Sequence, residues 1–207
     1  TVICLLAGYP AAFALAWSGG VLQTLLLATL FLPLSVSVIV KAFGWTILLR
    51  SDGVVNQLLQ ALHLTGEPIR LIFTQAGLLI GITNIFLPFM ILPLFSVVKL
   101  IDPRLEEAAT TLGAGPVYRF FHVTLPLSMP GVIAGTALVF SLAVSAYVIP
   151  TLLIGDRYQV MSTVIAKSFL FNRNQQVGST VGVLLLLIAL TVVVGSSRLA
   201  RDRRNRP

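Results

Sequence analysis

Residues able to do chemistry are scarce in this chain, and most gather in one place. Cys4 is the only cysteine, so neither an intrachain disulfide nor a cysteine-based metal site can form. His63 and His122 stand far apart, and no Ser-His-Asp set assembles around either. The densest run of acids, bases, glycines and prolines is "EEAATTLGAGPVYRFFHVTLPLSMPG", residues 106–131, with long apolar runs on both sides. Its punctuation predicts two short helices joined by a turn. Asp102 suits an N-cap and Pro103 the first helical position, so residues 104–112 read as a helix with Glu106 and Glu107 near the positive end of its dipole. Gly113 fits the left-handed residue that ends a helix. Gly115-Pro116 restarts the chain, residues 117–123 form a second short helix, and Leu125-Pro126 ends it. That helix sets Val117, Phe120, Phe121 and Leu125 beside Tyr118, Arg119 and His122. So much apolar bulk on a connector either lies on a membrane surface or fills a groove in a partner, and composition leaves both open.

The elements that must position this stretch follow from composition. Of 207 residues, 57% are hydrophobic and only 10% charged, and the mean hydropathy is +0.96. A soluble domain carries about a quarter charged residues, whereas roughly 20 consecutive apolar residues suffice to cross a bilayer. Several such runs make this an integral membrane protein. The runs lack the period-2 alternation of a membrane barrel, and backbone groups in lipid must be satisfied within their own segment, so the expected fold is an all-α, multi-span helical bundle. Five spans are predicted: Val2–Trp17, then about 21–49, 71–98, 132–154 and 177–197. The first run has no basic n-region of the kind a signal peptide carries, and a sixth span is expected upstream of it. Residues 1–207 read as a single domain, with 99–130 a loop and 198–207 a basic tail.

The net charge of +7 is concentrated in that tail, where Arg198, Arg201, Arg203, Arg204 and Arg206 face only Asp202. Arginines beside a span mark a cytoplasmic end rather than a nucleic-acid surface. Counting back, the 99–130 loop and the Trp17-Ser18-Gly19-Gly20 turn lie inside, and the 50–70 and 155–176 loops lie outside. His63 and His122 then fall on opposite faces of the membrane. Asp52, Glu67 and Arg70 in the first outer loop either meet an external partner or face water. Lys41 sits about 20 residues into the second run, which at 1.5 Å per residue carries it to the outer interface, where it can snorkel; the alternative places its charge on an internal polar path. Pro33, Pro88, Pro93 and Pro150 interrupt the runs, and Gly77, Gly81, Gly131 and Gly135 thin them. A proline frees a carbonyl that neighbours must satisfy, and small residues admit close helix approach. A plain anchor requires neither, so a bundle that moves is expected.

Polar residues inside the runs are Ser35, Ser37, Gln75, Thr83, Asn84, Ser141, Ser145 and Tyr147. Most such groups bond between helices. Asn84, in a run broken by Pro88 and Pro93, and Tyr147, just before Pro150, are the best candidates for lining a path, with Ser145 and Gln75 next.

The spacing of the middle stretch resembles the signature loop of binding-protein-dependent ABC transporter permeases: Glu-Ala-Ala, three residues, Gly, nine residues, Ile, one residue, Leu-Pro. Here it is Glu107-Ala108-Ala109, Gly113, Val123, then Leu125-Pro126, with valine for isoleucine the one departure. "AGYPAAFALA" (7–16) is similar to the family's early span. "LPFMILPLFSVVKLIDPRLEEAA" (87–109) and the 139–155 region, with Tyr147 three residues before Pro150, resemble the spermidine/putrescine-type permeases in particular. The resemblance implies the type I ABC importer permease (MetI-like) fold, with six spans and both ends inside, in a bacterial inner membrane. It implies that the 99–130 loop docks in a cleft of a cytoplasmic ABC ATPase dimer through Glu107, Ala108, Ala109, Gly113, Arg119, Val123, Leu125 and Pro126. A second permease, forming a heterodimer, and a periplasmic solute-binding protein complete the implied assembly. ATP and Mg would sit on the ATPase and no cofactor on this chain, which carries no G-x-x-x-x-G-K-[ST] phosphate loop.

The implied solute is a small organic compound. Polyamine permeases usually carry an acid just before the fourth-span aromatic and another after the proline; Ala146 and Thr151 hold those places here, and no acid lies within a predicted span. A polycation calls for carboxylates or an aromatic cage, so an opine or aminophosphonate-like solute is expected alongside a polyamine. Two other classes stand as alternatives. A scaffold or insertase-like protein would not need the matched loop spacing, and a membrane-embedded enzyme would need ionisable groups that the spans lack.

Overall fold

Every apolar run folds as helix, and no strand occurs among the described residues. The computed structural model describes residues 1–63, 65–155 and 158–204, with 197–204 as backbone only. The arginine cluster and tail predicted at 198–207 therefore lie outside the residues whose side chains are described. The helices are α1 (Val2–Trp17), α2 (Gly20–Ser35), α3 (Val38–Leu48), α4 (Val54–Ala61), α5 (Gln75–Val98), α6 (Pro103–Thr111), α7 (Pro116–Arg119), α8 (Leu125–Ser145), α9 (Val148–Leu153), α10 (Met161–Leu170) and α11 (Gln175–Arg204). A π-helical turn, Phe120–Thr124, joins α7 to α8.

Three helical stretches are long and apolar enough to cross a membrane: Gln75–Val98, Pro116–Ser145 and Gln175–Ser196; α2 and α3 together make a fourth if the bent pair is one span. The five predicted runs are thus realised unequally. With 16 residues, α1 is about 24 Å long, short of a ~30 Å hydrocarbon core. The second run is not one straight helix, because α2 and α3 meet at 100°. Pro33 weakens the last turn of α2, and Ser37 caps the new helix by accepting the Ile39 N–H at 3.3 Å. Lys41 lies beyond that bend, so the straight-helix count that carried it to the far interface does not hold. The fourth run is also displaced. It begins at Pro116 rather than 132 and stops at Ser145, with Ala146 and Tyr147 breaking it before α9.

Two compact units divide the chain: Thr1–Phe31, Leu87–Ser141 and Thr191–Pro207 form the first, Leu32–Phe86 and Leu142–Leu190 the second. In the first unit, glycines let helices touch. A Cβ on Gly135 would lie 2.9 Å from Met90 Sδ and 3.1 Å from Met90 O, and one on Gly131 would lie 3.1 Å from both Leu94 Cα and Pro93 O, so α8 runs backbone-close to α5. Cys4, Ala12, Phe13, Leu15, Met90, Ile91, Leu94 and Val139 are buried there.

In the second unit α3 packs on α9, with Ala42, Leu49, Ile149 and Leu153 buried. Its loop over residues 50–69 closes on Asn56, which is fully buried. The Asn56 amide donates to Arg50 O and Ile69 O, both at 2.8 Å, and accepts the Ile69 N–H at 2.9 Å. By contrast, Val183, Leu186 and Leu190 on α11 are exposed, as apolar side chains are where lipid is the solvent.

Candidate coupling loop and solute-path residues

The predicted loop is built as its punctuation requires through Gly115. Asp102 Oδ1 accepts the Arg104 N–H at 2.9 Å, Pro103 opens α6, and Glu106 lies in its first turn. The end of α6 is closed by two reversed bonds: Gly113 N–H to Thr110 O at 2.9 Å and Ala114 N–H to Ala109 O at 3.0 Å. That pairing is a Schellman motif, and it needs a left-handed residue, supplied by Gly113 at φ +80°. After Gly115 the expectation fails. Leu125-Pro126 does not end the second helix; α7, the π-turn and α8 make one rod from Pro116 to Ser145. The Leu125 N–H reaches back five residues to Phe120 O. This widened turn accommodates Pro126, which has no N–H to give, where an ordinary helix would lose a bond and kink.

Glu107 and Ala108 are exposed and Ala109 is half-buried, so the Glu-Ala-Ala face looks away from its own fold. Leu112 (87% exposed), just after α6, and Val117, Tyr118 and Phe121 on the rod are exposed as well. Val123 and Leu125 are half-buried and Pro126 is exposed. Glu106, in contrast, points inward and accepts the Thr124 hydroxyl at 2.8 Å. Arg119 Nη1 donates to Thr110 Oγ1 at 2.7 Å, tying the rod back to α6. Tyr9 on α1 shares a 2.8 Å hydrogen bond with Ser128 and meets the Phe120 ring edge-on at 5.8 Å. A cleft of about 580 Å³ lies between these parts, lined by Tyr9, Phe13, Trp17, Glu106, Arg119 and Phe120 among others. All eight residues expected to couple lie in the first unit.

The four solute-path candidates all lie in the second unit, but they do not form one cluster. Asn84 is exposed, and its Oδ1 accepts the Trp45 indole N–H at 3.2 Å. Tyr147 sits at the break after α8 and lines a cavity of about 380 Å³ with Thr151, Thr163, Lys167, Phe171 and Asn172. The carbonyl freed at that break, Ala146 O, accepts the Ser162 hydroxyl at 2.7 Å. Ser145 turns its hydroxyl back to Leu142 O at 3.2 Å, a local use. Gln75 is exposed at the start of α5. Among the described residues, no group of three or more His, Cys, Asp or Glu is placed to hold a metal ion.

Several positioning residues carried no signal in the sequence. Trp45, Asn56, Tyr9 and Thr124 act through partners 39, 13, 119 and 18 positions away, respectively. The signature's spacing does pass through Thr124, as its one unspecified position between Val123 and Leu125.

Comparison with known proteins agrees with this architecture. Residues 5–207 match the family model described as "Binding-protein-dependent transport system inner membrane component". The chain is 40% identical over 195 residues to the spermidine/putrescine transport system permease protein PotB of Haemophilus influenzae, covering 94% of this chain and 68% of that protein. It is 35% identical over 206 residues to PotB of Escherichia coli, covering 100% and 73%. A molybdenum transport permease, ModB of Mycobacterium bovis, is 29% identical over 196 residues, covering 94% and 72%. In fold, the chain is similar to a bacterial ABC transporter that imports the acidic polysaccharide alginate, with TM-score 0.67 and 21% identity over 97% of this chain and 75% of that one. A second structure of the alginate transporter, in complex with a pentasaccharide-bound periplasmic protein, matches with TM-score 0.65 over 97% and 74%. The chain is thus a member of the binding-protein-dependent transport system inner membrane component family, a permease subunit of an ABC importer and an integral inner-membrane protein.

Proposed function

We propose that this permease subunit moves a small organic solute inward, driven by a separate ATPase dimer that grips the α6 face through Glu107, Ala108, Ala109 and Gly113. The observation that carries this reading is the orientation of the Glu-Ala-Ala face. Glu107 and Ala108 are exposed, and so are the large side chains of Leu112, Val117, Tyr118 and Phe121 in the same loop and rod, as a helix meant for a partner's groove requires. Arg119, Val123, Leu125 and Pro126 brace that face from the rod. ATP and Mg belong to the ATPase, a periplasmic protein delivers the solute, and a second, different permease completes the pore. Gly113→Asp tests the docking role. A Cβ there meets nothing within 4 Å, so the change costs only about 1 kcal/mol of left-handed strain and leaves membrane insertion intact. Uptake and ATPase stimulation should both vanish; normal uptake by this variant counts against docking.

The solute proposed first is a polyamine, supported by PotB relatives at 34–40% identity. A second reading, an opine or aminophosphonate-like solute, is favoured by Ala146 and Thr151 in place of acids and by Lys167 lining the cavity beside Tyr147. A thermal-shift screen of the cognate binding protein against the three classes separates them. Stabilisation by spermidine or putrescine alone rules out the second reading, and stabilisation by an opine or aminophosphonate alone rules out the first.

A further inference from the structure

Movement of α6 reaches the membrane helices through the short 99–102 link to α5, through the turn to the rod, and through side-chain contacts. The turn that joins α6 to the rod is largely exposed, and the bonds of Gly113 and Ala114 return to α6 itself. A link of that kind changes its dihedrals before it transmits a push. Among the described residues, two side-chain hydrogen bonds bridge α6 to the rod. Arg119 to Thr110 is exposed, whereas the Glu106–Thr124 bond ends on a hydroxyl-bearing residue only 5% exposed. Thr124 lies in the π-turn, whose Phe120 abuts Tyr9, and Tyr9 in turn bonds Ser128 on α8. A displacement entering at Thr124 is therefore delivered to α1 and α8 together.

We propose that Glu106 and Thr124 are positioning residues, a rigid joint that makes α6, the π-turn and the base of α1 and α8 move as one body. The inference rests on the docking reading above. Glu106 serves as an acceptor, so its charge is dispensable while its carbonyl-type oxygen is not.

The test uses the complete transporter, with its ATPases, partner permease and binding protein, reconstituted in vesicles. Thr124→Val keeps the shape and removes the hydroxyl. It should leave most of the ATP hydrolysis in place while solute moved per ATP falls about tenfold, the size of a single coupling contact. Thr124→Ser should restore the yield, Glu106→Gln should keep it, and Glu106→Ala should reproduce Thr124→Val, with unchanged thermal unfolding of the complex. A merely structural bond would instead lower stability and leave the yield per ATP intact; that result overturns the joint. If Thr124→Val fails to assemble, the Glu106→Gln and Glu106→Ala pair decides, and a parental yield in Glu106→Ala overturns it. Gly113→Asp separates the two readings. Lost uptake there with a parental yield in Thr124→Val sinks the joint alone, whereas normal uptake in Gly113→Asp sinks docking and the joint with it.

Discussion

At the scale of single residues, two neighbouring acids have opposite fates. Glu106 and Glu107 are indistinguishable by type, and both favour the positive end of α6. A rotation of about 100° per helical residue turns one toward Thr124 and the other toward solvent. Asn56 shows how much one buried amide can hold. Both its donors and its acceptor are used, joining the two ends of the loop over residues 50–69. Asn56→Ala leaves the Ile69 N–H and the Arg50 and Ile69 carbonyls without their partner, so the folded state should lose about 1–3 kcal/mol. Thermal unfolding of the purified subunit in detergent checks this, and Asn56→Asp should be no better, because a carboxylate would face two carbonyl oxygens.

At the scale of elements, small residues and prolines decide where helices touch and where they break. The backbone-close contact of α8 with α5 depends on Gly131 and Gly135. Gly135→Val would drive two methyls into Met90 and the backbone behind it, an overpacking cost of about 1–3 kcal/mol. Gly182→Val on α11, where an added Cβ meets nothing within 4 Å, is the control. The first should lower the unfolding midpoint and the second should leave it unchanged. The prolines were visible in the sequence, but their consequences were not. Pro33 sits at a 100° bend, whereas Pro126 follows a π-turn within a continuous rod, and Pro88 and Pro93, expected to interrupt their run, lie inside the unbroken α5. Whether a proline breaks a helix depends on where the freed carbonyls go, and local sequence does not state that.

At the scale of the whole molecule, the two proposed duties divide by unit. The residues proposed to dock fall in the first compact unit, and the proposed path residues Gln75, Asn84, Ser145 and Tyr147 fall in the second. Lesions in the two should therefore separate. Tyr147→Ala should lower uptake roughly tenfold, the value of one contact of about 1.4 kcal/mol, while the ATPase still co-purifies with the subunit. Gly113→Asp should lose the co-purifying ATPase as well as uptake. A Tyr147→Ala subunit that sheds its ATPase would contradict the division.

Membrane class, helical build and the first half of the 99–130 loop, through Gly115, were legible in the linear chain, because each rests on local quantities: hydropathy over some 20 residues, a cap, a positive-φ glycine. Tertiary structure alone decided the broken second run, the displaced fourth one, the hydrogen-bond partners of Glu106, Thr124, Tyr9 and Asn56, and the scatter of the predicted path residues. Those outcomes depend on partners up to 119 positions distant, and a hydrogen bond or a close helix contact is selected by the whole packing rather than by its neighbours in sequence.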